Sequence, residues 1–201
     1  EAFLDEILSL RASDMRENIL TGEETQTLYE FVSEKRNVPL KYLAEIFCCG
    51  RWKSPLEVFM SSDFFDVIVR VYREQYENLP FTDFFWTMRS MLLPLFYLLQ
   101  QKLPEADVYH SVATGYCGVI GAMAATVYDK PYMITEHGIY SREREAEIIK
   151  SDWAKPDFKG VWIRYFYHLA RLSYGAADHL YTLFEHNGQI AVDLGCAPEK
   201  V

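Results

Sequence analysis

ADVYHSVATGYCGVIGAMAATVYDKPYMITEHG, residues 106–138, is where the chain changes its grammar. Two short runs of β-branched and aromatic residues, DVYHSV at 107–112 and PYMIT at 131–135, enclose a segment from Gly115 to Val127 rich in Gly and Ala. Strand-like runs separated by a helix-length segment are the pattern of a β-α-β crossover between parallel strands, joined in a right-handed sense. Gly118, Gly121, Ala122, Ala124 and Ala125 suit the helix to close packing on a sheet. Glycines at 115, 118 and 121 do not make the G-x-G-x-x-G of a dinucleotide site; their spacing packs one helix face.

Downstream the alternation continues. Arg142 to Lys150 reads as a short helix, VWIRYFYHLARLSYG as a long one ending at Gly175, HLYTLF at 179–184 as a third strand, and Glu185 to Leu194 as a last helix. Upstream, residues 1–106 read as helical almost throughout. Thr21 with Glu24 forms a capping box, and Ser54-Pro55-Leu56-Glu57 sets an N-cap, a first-turn proline and an N3 glutamate in order. Ser62 or Asp63 opens the next helix, and Thr82 or Asp83 the one after, which Pro94 should kink or divide. The expected fold is therefore α/β. A partial Rossmann-like parallel sheet at 107–201 is joined in one domain by a large helical region, 1–106, packed on it.

Ligands of open parallel sheets bind beyond the carboxyl ends of the strands, where loops diverge and helix N-termini offer free N–H groups. Thr114 and Gly115 leave the first strand there, and Glu136, His137 and Gly138 leave the second. With Arg142 and Arg144 following, the two loops should share a crevice suited to an anionic or polyhydroxyl ligand. Read alone, RERE is a solvated helix start and His137 a hydrogen-bonded structural histidine; the strand-end position is what raises the second possibility. His110 reads as a satisfied core histidine, and His168, His179 and His186 carry no motif. The stripe WIRYFYHLARLSY reads as core.

Half of the residues are apolar and 15 % are aromatic, so a packed core is expected, and a net charge of −9 disfavours a nucleic-acid partner. Cys48, Cys49, Cys117 and Cys196 show no Cys-x-x-Cys spacing, which gives no support to a metal site and fits reduced thiols in the cytoplasm. MLLPLFYLL, 91–99, is about half of the roughly 20 residues that a membrane span needs, and reads as a buried helix.

ADVYHSVATGYCGVIGAMAA, KPYMITEHGIYSRERE and ADHLYTLFEHNGQIAVDLGCAPEKV together resemble the N-terminal half of a retaining glycosyltransferase of the GT-B fold, GT4-like. Within that class the motifs look most like the cytoplasmic Pel exopolysaccharide glycosyltransferases (PelF-like). The resemblance implies a UDP-sugar donor held mainly by a C-terminal domain and a saccharide acceptor held by this one, with no metal cofactor. It implies membrane-bound polysaccharide export proteins as partners. It also implies that His137 faces the transferred sugar as the catalytic residue, with Thr114, Gly115, Glu136, Gly138, Arg142 and Arg144 binding substrate around it. The family starts with a strand and a glycine-rich loop and continues past the position of Val201 into the donor domain, so this chain is expected to be a piece of such an enzyme and inactive by itself. A noncatalytic module docking a partner of a polysaccharide secretion apparatus is the alternative.

Overall fold

The computed structural model describes residues 18–35, 38–48 and 50–201. The helical region consists of α1 (Gly22–Ser33), α2 (Leu40–Phe47), α3 (Pro55–Phe59), α4 (Ser62–Gln75) and α5 (Phe81–Leu99). The capping box forms as expected: the Glu24 amide donates to Thr21 Oγ1 at 3.2 Å and the Thr21 amide to Glu24 Oε2 at 2.8 Å. Ser54 caps α3, with Glu57 accepting from the Lys53 amide. α4 opens at Ser62 as expected, and the α5 start differs by a residue. Ser61 caps α4, and α5 begins at Phe81 after Pro80 with no side-chain cap.

Pro94 does not divide α5, which continues to Leu99. The proline withholds a hydrogen bond from the carbonyl of Ser90, and both residues are exposed, so water can take its place. Around Pro94, Leu92, Leu93, Leu95, Phe96 and Leu99 are buried. No helix of the described residues is long and apolar enough to cross a membrane.

The second half is β1 (Tyr109–Ser111), α6 (Tyr116–Tyr128), β2 (Tyr132–Glu136), α7 (Tyr140–Lys150), α8 (Lys159–Ala176), β3 (His179–Thr182) and α9 (Glu185–Asp193). The strands are parallel in the order β1-β2-β3, with Ser111 beside Ile134 and Glu136 beside Thr182. The fold is thus α/β, a small Rossmann-like sheet with a large helical region. Tyr109, Ser111, Tyr132, Ile134, Glu136 and Leu180 point to one face and are buried, with α6 and α8 packed together on that side. On the opposite face His110, Tyr181 and the flanking Val108, Val112 and Leu183 are exposed. That corrects the reading of His110 as core. Its alternation along the strand puts it on the bare face, where Nε2 lies 2.9 Å from Thr135 Oγ1.

The helical half meets the sheet half chiefly through α6 and α8. α2 and α5 lie on α6, Phe31 of α1 packs on His168 of α8, and the Tyr165 hydroxyl donates to the Met91 carbonyl at 2.7 Å. Cys117 and Cys196 carry free thiols, Cys48 Sγ donates to the Leu99 carbonyl, and Cys49 lies outside the described residues.

Candidate functional site

β1 and β2 are adjacent and parallel, so the loops that follow them leave the same edge of the sheet. Thr114 and Gly115 stand on the first loop, and His137 and Gly138 on the second. Three helices, α6, α7 and α9, start at this edge after β1, β2 and β3, and none has a side-chain cap hydrogen bond. Helix N-termini carry partial positive charge and unsatisfied amides, so the edge favours anionic or oxygen-rich groups.

Within this frame the expected site residues separate into two sets. Glu136 and Thr114, expected to contact substrate, are each 1 % exposed and face each other. The Thr114 hydroxyl donates to Glu136 Oε1 at 3.0 Å, and the Tyr174 hydroxyl from α8 donates to Oε2 at 2.5 Å. A third donor, the Tyr140 amide, reaches Oε1 at 3.4 Å. Both carboxylate oxygens are occupied from inside the protein, as a buried charge requires. The physical reason lies in the pleat: Glu136 continues the inward alternation of Tyr132 and Ile134, so the strand end delivers it to the helix-covered face. Burial, together with the carboxylate beside it, raises the Tyr174 pKa well above the usual range, so its hydroxyl stays a donor.

The consequence falls on the next residues. Glu136 is held in β2 by its backbone and to the start of α7 by its side chain, so the carboxylate bridges the segment His137-Gly138-Ile139 at both ends. Ile139 anchors that segment in the core. A Cβ at Gly138 would come within 2.2 Å of Glu143 Oε1, the end of an exposed, flexible side chain that can turn aside. Gly115 is needed twice over: its φ is +76°, and a Cβ would lie 2.4 Å from the Tyr140 ring. Gly115 therefore lets the first loop and the α7 start close on each other. His137 is left exposed on the fixed segment, with no hydrogen bond to another described residue.

The arginines divide as well. Arg142 is exposed on α7 and lies near the Tyr167 hydroxyl. Burial and the Glu145 carboxylate push that hydroxyl up to about 12, and it donates to Glu145 at 2.5 Å. Arg144, expected in the crevice, packs against α8 and lies near the Tyr116 and Tyr140 hydroxyls. It pairs with Glu147, its guanidinium lies 5.0 Å from the Phe166 ring centre, and its Nε is buried without a partner. The i to i+3 spacing of Arg144 and Glu147 and the neighbouring aromatic face of α8 explain this placement.

Sequence reasoning missed Tyr174, which lies in a stripe read as core and acts through a single polar atom. His168, read as carrying no motif, lies in the core. This histidine is 2 % exposed, packs 5.1 Å from Phe31, and is held neutral by burial and by Arg171, its pKa lowered to about 3. Among the described residues no group of three His, Cys, Asp or Glu side chains could hold a metal ion. No curated protein and no solved structure matches the chain. A sequence-family match does extend over nearly the whole of it, through both the helical half and the strand-end loops. The chain belongs to the family described as a domain of unknown function (DUF3492), which matches residues 5–199.

Proposed function

We propose that this chain is the acceptor-side N-terminal domain of a retaining, GT4-like glycosyltransferase that extends an exopolysaccharide from a UDP-sugar in the cytoplasm, as the PelF-like resemblance implies. The observation that carries the reading is His137. It is the exposed imidazole at the carboxyl end of the central strand, on a segment fixed by a buried carboxylate. The DUF3492 family is associated with the N-terminal regions of GT4-like glycosyltransferases, which agrees with this reading. His137 would hydrogen-bond the transferred sugar and stabilise charge in the transition state, with no need for it to act as nucleophile. Arg142 and the uncapped start of α6 at Gly115 complete this wall of the cleft, while the donor diphosphate is bound mainly by the second domain.

The test is His137→Ala in the full-length enzyme. Turnover should fall by about 10²-fold, the scale of one well-placed transition-state hydrogen bond. The melting temperature should hardly move, because the imidazole is exposed. Full turnover in the variant would end the catalytic assignment.

A second reading, a noncatalytic module docking a partner of the secretion apparatus, draws on the bare sheet face. Exposed apolar side chains there (Val112, Tyr181 and Leu183) are the kind of surface that proteins cover with a partner. Under that reading Val112→Lys disrupts function and His137→Ala does not.

A further inference from the structure

The geometry points to a binding site for a small aliphatic anion, a carboxylate or a phosphate monoester, in a cavity of about 370 Å³ between the start of α2 and the end of α8. It lies apart from the strand-end crevice. α8 leads into β3, so its last turn stands at the amino end of the sheet, whereas the His137 segment leaves the carboxyl end. The space exists because α8 ends in small residues. Gly175 and Ala176 line it, and a Cβ built on Gly175 meets nothing within 4 Å. Small-molecule sites commonly have this size.

The lining selects the class of ligand. Val38, Leu40 and Leu172 supply a buried aliphatic floor. No aromatic ring among the described residues lines the cavity, so it offers no stacking surface to a base or a sugar. The charged residues of its wall, among those described, are Lys41 and Arg171, two cations in a chain of net charge −9. Lys41 is exposed, with its ammonium 4.9 Å from the Tyr42 ring centre, a contact that leaves the charge in place.

Arg171 donates to Glu34 through Nη2 at 3.2 Å. The charge of Arg164 acts on the same carboxylate, so one anion serves two guanidinium groups and positive charge remains. Arg171 is also held in place, because Gly195 packs against its stem: a Cβ there would lie 3.4 Å from Arg171 Cγ. A cation fixed beforehand loses little entropy on binding. α2 starts after Pro39 with no side-chain cap, and its first two residues line the cavity, where the partial positive charge of a helix start favours an anion. The carbonyls that end α8 would oppose one, but Lys200 Nζ donates to those of Tyr174 at 3.2 Å and Gly175 at 3.0 Å.

The experiment adds hexanoate to this chain up to about 10 mM, enough for a millimolar site, and follows the backbone amide resonances. Leu40, Lys41, Leu172 and Gly175 should shift together and saturate, and residues 137–140, in the crevice, should not move. Hexylamine, with the same body and the opposite charge, should give no saturating shift at these positions. Gly175→Phe fills the cavity from a position with open space and should abolish the hexanoate shifts at Leu40 and Lys41 with the melting temperature unchanged. Lys41→Gln should weaken binding by up to about fivefold. No saturating shift with either hexanoate or butyl phosphate overturns the inference. Equal binding of hexylamine overturns it too, since the cations then select nothing. Inorganic phosphate bound as tightly as hexanoate marks an adventitious ion only, and shifts that survive Gly175→Phe put the anion elsewhere; either result overturns the site. The acceptor-side reading stands or falls independently of all of these.

Discussion

The helical half and the sheet half bury different chemistry. Between α1 and α5 the interior is aliphatic and aromatic: Leu43, Phe64, Phe84, Leu93 and Phe96 are sealed from water, and the buried polar residues among those described are serines. Two of these, Ser54 and Ser61, are helix caps. In the sheet half the interior also contains a carboxylate, an imidazole and a set of hydroxyls, with Tyr132 OH bonded to Ser111 at 2.5 Å and to the Gly118 carbonyl at 2.8 Å. Apolar contacts are non-directional and tolerate small shifts, whereas buried hydrogen bonds penalise them. The helical half therefore supplies stability, and the sheet half uses part of that stability to fix atoms at one edge.

The largest effect should come from breaking the helical half. Phe96 is fully buried and packs 4.5 Å from Phe47 and 5.5 Å from Phe64. Phe96→Ala should cost about 3–5 kcal/mol in denaturant unfolding while leaving the amide shifts of residues 137–140 in place in the folded fraction. If those amides move as much as those beside Phe96, the two halves are not separable in this way.

Next is the hydroxyl that holds Glu136. Tyr174→Phe removes a charge-assisted donor at 2.5 Å from a fully buried carboxylate and should cost about 1.5–3 kcal/mol. Unlike the first variant, it should speed hydrogen exchange at Ile139 and Tyr140 well beyond the global change. Uniform acceleration across the chain would mean that the hydroxyl stabilises the fold without positioning the His137 segment.

The smallest effect near neutral pH is a pH slope. The folded pKa of His168 is depressed to about 3 from an ordinary 6.5, by burial first and Arg171 second. Below pH 6.5 the unfolded chain takes up a proton that the folded one refuses, so stability falls as pH drops toward about 3. The limiting slope is about 1.4 kcal/mol per pH unit. His168→Leu should remove that slope and leave stability above pH 7 nearly unchanged. A slope that survives the substitution belongs to other groups.

Much of this was legible because it is local. The capping box at Thr21, the three strands and the Gly115 helix start all follow from residues within a few positions of each other. The placement of Thr114 and His137 at one edge needs only the parallel pairing that a β-α-β pattern implies. The misreadings share a cause. His110 was read as core and is exposed, Glu136 was read as facing substrate and is buried, and which face of a sheet a helix covers is not written in the strand. That Arg144 also rests on the aromatic face of α8, a separate element, could not be read from its own neighbourhood.

By itself the amino-acid sequence determined the order of elements, the boundary near 106, and the place of Gly115 at a helix start. Periodicity, capping and turn chemistry act over a few residues and can be read directly. Only the tertiary structure decided that α6 and α8 cover one face of the sheet, that Glu136 is therefore buried and held by Tyr174 from a helix 38 residues away, and that His137 is left exposed. Those outcomes depend on which surfaces meet, and a buried charge must find its donors wherever the fold brings them.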